Sequence, residues 1–473
     1  MTSGGYESLV GKLLSANQGH LVMFWNKLSP EEQEKLVSQL RAMDLDRING
    51  IFKLATTTKT PPASTVTPLP EEVIGSTIDG TPEQKATWEA KGFELVAANQ
   101  VAVVLMAGGQ GTRLGSAAPK GCYDIGLPSH KSLFALQADR IRRVQILAAA
   151  KAGKAPEEVT IPWYVMTSAP TRAATEAHFK ENNYFGLEPS SVFFFNQGTL
   201  PCFDPSGKIF LSDPSTLTAS PDGNGGIYAA LSSEGVLEDM AKRGIEHIHS
   251  YCVDNCLVRV ADPTFVGYCA LQGAECGAKV VRKTEPAEPV GVLCKREGKY
   301  SVVEYSEIDK EMSEQRREGS DKLVYGAANI ANHYYTRAFL ERVPEFESSL
   351  AYHVASKKIP HVDITTGEAV KPTSPNGVKL ELFVFDVFPH TEKLAVLEVE
   401  RAEEFAPLKN APGTGVDCPE TSKEALLAQQ RRWLQAAGVS SIEGDVELSS
   451  LTSYQGEGLE AFAGQALQGP KVL

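Results

Sequence analysis

The residues with the clearest capacity for chemistry are the run AGGQGTRLGSAAPKG over 107–121, which carries Gly108, Gly109, Gly111 and Gly115 with two cations, Arg113 and Lys120. It directly follows the apolar run VAVVLM of 101–106. Glycines just after a buried strand let backbone N–H groups come close to an anion. Arg113 adds a planar fork for two phosphate oxygens, and Lys120 adds a point charge. Two common phosphate loops do not fit. A P-loop needs G-x-x-x-x-G-K-[ST], and Gly109 is followed by Thr112, Arg113 and Leu114 instead. A dinucleotide fingerprint needs a third glycine where Leu114 stands. Asp254, in YCVDN at the end of another apolar run, is the second feature. Open α/β sheets place ligands at that edge, and an aspartate there can hold Mg²⁺ against phosphate oxygens or simply cap the next turn.

These residues need a scaffold, and the hydrophobic pattern supplies one. Short apolar runs over 101–106, 163–168, 191–197, 247–255, 278–283, 302–307 and 380–388 alternate with amphipathic stretches, of which 132–152 is the clearest helix. That rhythm predicts a mostly parallel sheet covered by helices. Before it, Ser29, Pro30 and Glu32 form the start signal of a helix in a helical lead-in, and Thr81, Pro82 and Glu83 start another. The Thr/Pro-rich stretch 55–70 reads as an extended connection. A helix is expected over 419–438, ended by Gly438, and then a small strand-and-turn appendage. The acidic stretch EVERAEEF of 398–405 reads as a solvated helix face. Three consecutive parts follow: residues 1–95 as a helical region with its connection, 96–390 as the catalytic α/β domain, and 391–473 as a small C-terminal domain.

Composition removes other classes. The 473 residues carry 46 basic and 59 acidic side chains, a net charge of −13, so nucleic acid and anionic membrane are poor partners. No apolar stretch reaches the roughly 18 residues of a membrane span. The start lacks a basic-then-apolar leader, and the cytoplasm is the expected location. Eight cysteines without C-x-x-C pairs point to reduced thiols, and a zinc site on Cys252 and Cys256 lacks two further ligands. The histidines 247, 249, 333, 353, 361 and 390 show no ligand spacing and stay unassigned.

The string LMAGGQGTRLG (105–115) followed by PKGCYDIGLPS (119–129) resembles the sugar nucleotidyltransferases, and within them the eukaryotic UDP-N-acetylhexosamine pyrophosphorylases. PDGNGG (221–226), YCVDN (251–255), EPVGVL (288–293), VVEYSE (302–307), NIANH (329–333), FVFD (383–386) and FAPLKN (405–410) continue the likeness in order. Ser116 and Cys122 fall where the family varies, and the tail after residue 465 is short for it. The resemblance implies an α/β fold with a Rossmann-like, mostly parallel sheet. It also implies Mg²⁺-dependent, reversible transfer of uridylyl from UTP to N-acetylglucosamine 1-phosphate, with release of pyrophosphate. A homodimer stays open as the assembly, which no residue pattern decides.

Carried over by position, Arg113, Lys120 and Lys409 would be catalytic, and Asp254 would hold the metal. Leu105, Met106, Ala107, Gly108, Gly109, Gly111, Thr112, Gln197, Gly223, Asp254 and Lys379 would bind UTP, with Gln197 and Gly223 reading uracil. Asn224, Gly291, Glu304, Tyr305, Asn329 and Phe383 would line the sugar pocket. Apart from the likeness, Lys379 and Lys409 read as solvated charges and Phe383 as core packing. A UDP-glucose or broad UDP-sugar pyrophosphorylase is the neighbouring alternative, and a silent nucleotide-sugar sensor is the alternative of another class. Cys122, beside the phosphate loop, leaves a redox role open.

Overall fold

The computed structural model describes residues 3–58 and 62–473. Met1, Thr2 and residues 59–61 of the expected extended connection lie outside the described residues. The chain divides into two compact units that interleave along the sequence. Met1–Pro61, Gln197–Ala229 and Pro344–Asp386 form the first; Pro62–Asn196, Ala230–Val343 and Val387–Leu473 form the second. The expected joints at 95 and 390 do not coincide with these boundaries.

The first unit opens with helices, among them α1 (Pro30–Arg41) and α2 (Leu45–Thr57). The capping box at α1 is complete: the Ser29 hydroxyl accepts from Glu32 N–H, and the Glu32 carboxylate accepts from Ser29 N–H at 2.8 Å. Because α2 runs to Thr57, the first residues of the 55–70 stretch are helical rather than extended. Strand Gly377–Glu381 pairs with His353–Lys357 in a two-stranded sheet, and Val378 adds an isolated bridge to Phe203. The single strand expected over 380–388 is therefore corrected: regular pairing stops at Glu381. The backbone beyond it bonds elsewhere, Leu382 N–H to the Asp222 carbonyl, Val384 N–H to the Asn224 side-chain oxygen and Phe383 N–H to the Asp386 carboxylate. Side-chain acceptors outcompete a ladder in a run whose composition favours one.

Asp222 sits in the turn that receives this backbone. Its carboxylate lies between Gly198 and Gly226, where an added Cβ would come within 2.4 Å and 1.9 Å of its oxygens. The residue is 8% exposed, and Oδ1 has no partner among the described residues.

The second unit is built on an eleven-stranded sheet. Its strands are β1 (Val66–Thr67), β2 (Ile74–Ser76), β3 (Val101–Met106), β4 (Trp163–Thr167), β5 (Val192–Asn196) and β6 (His247–Cys252). They continue with β7 (Cys276–Arg282), β8 (Val292–Arg296), β9 (Lys299–Val303), β10 (Ala327–Thr336) and β11 (Leu394–Glu398). The main path runs β2–β11–β7–β10–β6–β3–β4–β5. All neighbours on it are parallel except at β10, which is antiparallel to both β7 and β6. The expected mixed α/β architecture is thus present. The expected strand over 302–307 lies earlier, as β9, and Glu304 already begins the next turn. Strand β11 lies within the central sheet, although 391–473 reads as a separate small domain.

Helices α3 (Pro82–Ala97), α4 (Leu133–Ala152), α5 (Pro263–Gln272) and α6 (Pro419–Ala436) belong to the same unit. α3 and α5 meet backbone to backbone. A Cβ at Gly92 would lie 1.8 Å from the Pro263 oxygen, and one at Gly267 1.8 Å from the Trp88 oxygen. The C-terminal appendage consists of two small parallel pairings, Ser441–Glu443 with Ala466–Gln468 and Val446–Glu447 with Lys471–Val472.

One charge is fully inside this unit. Lys279, on β7, has no exposed surface and meets the carboxylates of Asp262 at 2.5 Å and of Glu404. Glu404 is only 2% exposed, so the solvated face expected over 398–405 is corrected at this residue. Burial acts to raise the Asp262 carboxyl, but Lys279 and Arg259 outweigh it and hold the group below the ordinary carboxylate range.

Two stability measurements test these features. Lys279→Met leaves two buried carboxylates without the cation they share, with Arg259 as the remaining charge near both, and should cost about 3–5 kcal/mol in urea unfolding, with much of the loss recovered when Asp262→Asn and Glu404→Gln are added. Burial pushes the Asp222 carboxyl up to about 6 from 3.8. Its folded-state proton therefore contributes stability below about pH 4 that is lost as pH rises to about 6. Asp222→Asn should remove that slope and, at pH 7, unfold at higher denaturant than the parent, by ~2 kcal/mol.

Candidate active site

In the second unit, β3 delivers the glycine loop at the end of the sheet where β4 and β6 also finish. Leu105 and Met106 are buried, and their backbone is committed to both neighbouring ladders. Ala107, also buried, donates its N–H to the Met166 oxygen at 2.9 Å. The loop then closes on itself. Gly111 N–H donates to the Ala118 oxygen at 2.9 Å, and Lys120 N–H donates to the Gly109 oxygen at 3.2 Å. Gly115 turns the chain at φ +76°, a conformation that favours glycine. The Ser168 hydroxyl holds the Gly108 oxygen at 2.6 Å. The N–H groups of Gly108 and Gly109 make no hydrogen bond among the described residues. Thr112 and Arg113 are exposed, and Arg113 forms no ion pair among the described residues. The loop therefore presents free donors beside an uncommitted cation.

Lys120 and Asp254 come together. Lys120 Nζ stands 3.8 Å from the Asp254 carboxylate and donates to the Leu408 oxygen at 3.0 Å, while Leu408 N–H donates to the Asp254 carbonyl at 2.8 Å. That last bond seats the segment carrying Lys409 against the end of β6. Lys409 is exposed, with its N–H donated to the Asp417 oxygen at 2.7 Å. Both strings are braced from behind. Arg140, buried on α4, donates to the carbonyls of Cys256 at 2.8 Å and Val258 at 2.9 Å. The Asn255 amide donates to the Glu404 carbonyl at 2.7 Å, and its oxygen accepts from Ala406 N–H at 3.0 Å.

Three expected sugar-pocket residues also meet in this unit. Asn329 N–H donates to the Gly291 oxygen at 2.9 Å, and a Cβ at Gly291 would lie 3.2 Å from the Glu304 carboxylate. Tyr305 is 52% exposed in the following turn. A separate cavity of about 490 Å³ is lined by paired charges such as Arg282, Asp79 and Glu398 and by none of the expected site residues.

In the first unit, Gly223 takes φ +88°, and a Cβ there would lie 2.2 Å from the Leu382 oxygen, so the position demands glycine. Asn224 follows, its side-chain oxygen accepting from Val384 N–H at 2.9 Å. Phe383 is half-buried rather than core, with its ring stacked on His353 at 4.2 Å. His353 in turn bonds the Asp386 carboxylate at 3.1 Å. The unit thus brings Gly223, Asn224 and Phe383 together. Gln197 is half-buried, and the Gly198 oxygen beside it accepts from Asp222 N–H. Lys379, half-buried, lies on strand Gly377–Glu381.

Among the described residues, no group of three or more His, Cys, Asp and Glu is placed to hold a metal ion. The Cys252 and Cys256 thiols are pushed up by burial, which disfavours metal-binding thiolates. All eight cysteines are free thiols, and burial pushes Cys122 up to about 11, which keeps it protonated and unreactive near neutral pH. No helix among the described residues is long and apolar enough to cross a membrane.

The sequence reading misses the residues that position others. Asn255 stands in the YCVDN string, and Lys279 is a lone charge in an apolar run, so both leave a signal. Arg140, on an amphipathic helix, leaves none.

The chain matches the UTP–glucose-1-phosphate uridylyltransferase family over residues 54–442. It is 46% identical to human UDP-N-acetylhexosamine pyrophosphorylase-like protein 1, covering 98% of this chain and 96% of that protein. It is equally 46% identical to the UDP-N-acetylglucosamine pyrophosphorylase of Saccharomyces cerevisiae, covering 96% of each. The solved UDP-N-acetylglucosamine pyrophosphorylase of Trypanosoma brucei superposes with a TM-score of 0.83 at 30% identity, over 96% of this chain and 94% of that one. A UDP-glucose pyrophosphorylase of Leishmania major shares the fold, with a TM-score of 0.60 at 17% identity over 90% and 86% of the two chains. By the span of the family match and by identity sustained along its length, the chain belongs to the UDP-N-acetylhexosamine pyrophosphorylases of the uridylyltransferase family.

Proposed function

We propose that the protein transfers the uridylyl group of UTP to N-acetylglucosamine 1-phosphate and releases pyrophosphate, in a reversible reaction. The observation that carries this reading is the Lys120–Asp254 pair beside a glycine loop with free N–H groups and an uncommitted Arg113. A phosphate oxygen of the sugar 1-phosphate forms the new bond to the α-phosphorus as the bond to the β-phosphate bridging oxygen breaks, and the electron pair leaves with pyrophosphate. The nucleophile is already an anion, so no general base is needed. What the residues must supply is alignment and charge neutralisation. Arg113 and the loop N–H groups suit the triphosphate and the departing pyrophosphate. Lys120 and Lys409 are supplied by two strings that the Leu408–Asp254 bond holds together.

One half-buried carboxylate, Asp254, is a poor site for a metal that demands an all-protein cage. It suits Mg²⁺, which keeps waters and substrate phosphates as its other ligands. Asp254 would hold the ion, which would neutralise charge on the phosphate oxygens. Gln197 and Gly223 are proposed for uracil, with Lys379 as a further phosphate contact. Asn224, Gly291, Glu304, Tyr305, Asn329 and Phe383 are proposed for the N-acetylated sugar. The names borne by the relatives favour the N-acetyl class over glucose. A silent sensor would be expected to lose a phosphate-binding cation or the aspartate, and Arg113, Lys120, Asp254 and Lys409 are all present.

Two measurements test the reading. Pyrophosphate release from UTP and Mg²⁺ should occur with N-acetylglucosamine 1-phosphate or its galactosamine counterpart, be much slower with glucose 1-phosphate, and stop with chelator. Faster turnover of glucose 1-phosphate would overturn the substrate class, and UTP binding without release from any sugar would favour the sensor. Arg113→Ala should lower kcat by about 10²–10³-fold with an unchanged melting temperature, because the side chain is exposed and its charge acts in the transition state. An unaltered rate would remove Arg113 from the mechanism.

A further inference from the structure

Asn329 and His333 lie four residues apart on β10, and their hydrogen bonds form a directed chain. Ala331 N–H, which can only donate, lies 3.2 Å from one atom of the Asn329 amide, so that atom is the oxygen. The turn of the backbone at Ala331, φ +53°, makes this contact within the strand. The same oxygen lies 3.1 Å from His333 Nε2, so this ring nitrogen carries a proton and donates. His333 Nδ1 is then bare, and it accepts from the Tyr335 hydroxyl at 3.2 Å. The ring is fully buried against Phe388, 5.0 Å away, and burial holds it down at about 3, so it stays neutral. With its oxygen occupied twice, Asn329 keeps its NH₂ as a donor that makes no hydrogen bond among the described residues.

We propose that His333 is a positioning residue for the sugar site, fixing the Asn329 amide so that its NH₂ meets an oxygen acceptor of the sugar phosphate. The inference rests on the reading of Asn329 as a sugar contact. Beside it, the Gly291 carbonyl already accepts from Asn329 N–H and the Glu304 carboxylate accepts from the Glu307 N–H of its own turn; the Asn329 NH₂ adds a donor. That donor suits an oxygen acceptor such as a hydroxyl, acetyl or phosphate oxygen of an N-acetylated sugar phosphate. Ala331 N–H alone holds the amide by one bond at 3.2 Å, and His333 adds the second; with only the first, the amide turns more readily and can present its oxygen, and two like acceptors facing each other repel.

Steady-state kinetics on the full chain separates the roles. Counted from Cα, the glutamine side-chain nitrogen occupies the place of His333 Nε2, whereas asparagine reaches only the Nδ1 position. His333→Asn should raise KM for N-acetylglucosamine 1-phosphate by about fivefold, the weight of one neutral hydrogen bond, and leave KM for UTP unchanged. His333→Gln should stay near the parent, and Asn329→Leu should raise the sugar-phosphate KM at least as much. If Asn329→Leu raises that KM and His333→Asn does not, or if His333→Gln and His333→Asn behave alike, the positioning role is wrong and the sugar-contact reading stands. If Asn329→Leu leaves the KM unchanged, the sugar-contact reading is wrong and the inference falls with it. Histidine ¹⁵N NMR on the parent provides a readout independent of the variants' folding: a proton on Nε2 of His333 is expected, and a proton on Nδ1 overturns the proposal.

Discussion

A lysine with no water around it governs much of the second unit. Lys279 is held between Asp262 and Glu404, and each of those residues bounds a different element. Asp262 is the N-cap of α5, its carboxylate also taking the Thr264 N–H at 3.0 Å. Glu404 closes the short helix Arg401–Glu404 and leads into the segment that bears Leu408 and Lys409. A buried charge tolerates little misplacement of its partners. The start of α5, the middle of β7 and the entry to the Lys409 segment are therefore fixed relative to one another. Asn255 extends the constraint to the aspartate beside it, through bonds to both sides of the Glu404–Ala406 corner. The buried, costly charge stands behind the candidate site, and the exposed charges of Arg113 and Lys409 lie at its surface.

That division suits an acidic protein whose substrates are proposed to be polyanions. A net charge of −13 gives no general attraction for a triphosphate. Affinity must come from a few cations and backbone donors at short range, where geometry rather than average charge decides the energy. The glycine loop meets that demand by satisfying its own carbonyls internally while leaving N–H groups unspent. The Lys120–Asp254 pair, at 3.8 Å, is looser than a bidentate ion pair, so each partner keeps capacity for another ligand.

Most of this scaffold can be read from the residues. The strands at 101–106, 163–167 and 192–196, the helix 133–152, the capping box at Ser29 and the helix start at Thr81 follow from period and cap chemistry, because local pattern and tertiary outcome agree there. The failures share a cause. β11 is a five-residue run whose place in the centre of the sheet depends on partners far away in sequence, and β10 runs against its neighbours, which no local pattern encodes. The apolar run 382–388 leaves its ladder because Asn224, Asp222 and Asp386 take its N–H groups. Glu404 reads as solvated because a charge pattern does not reveal a buried lysine on another element. The loop and the aspartate are legible as phosphate chemistry, whereas Gln197, Lys379 and Phe383 become candidates only through the resemblance. Residues that orient other residues, such as Arg140 and His333, have no motif of their own.

The late position of β11 has a consequence for how the polypeptide is made. β7 has β11 along one side, and β2 joins the sheet only through β11. A nascent chain that has emerged through β10 thus holds most of an open sheet with one long side of β7 unpaired and β2 without a place. Exposed edges of that kind recruit other strands. The protein must pass through synthesis with its sheet unsealed until residues 394–398 arrive. The strand that completes the fold is also the one that leads into Glu404 and Lys409, so the chain that closes the sheet carries the segment proposed to meet phosphate directly behind it.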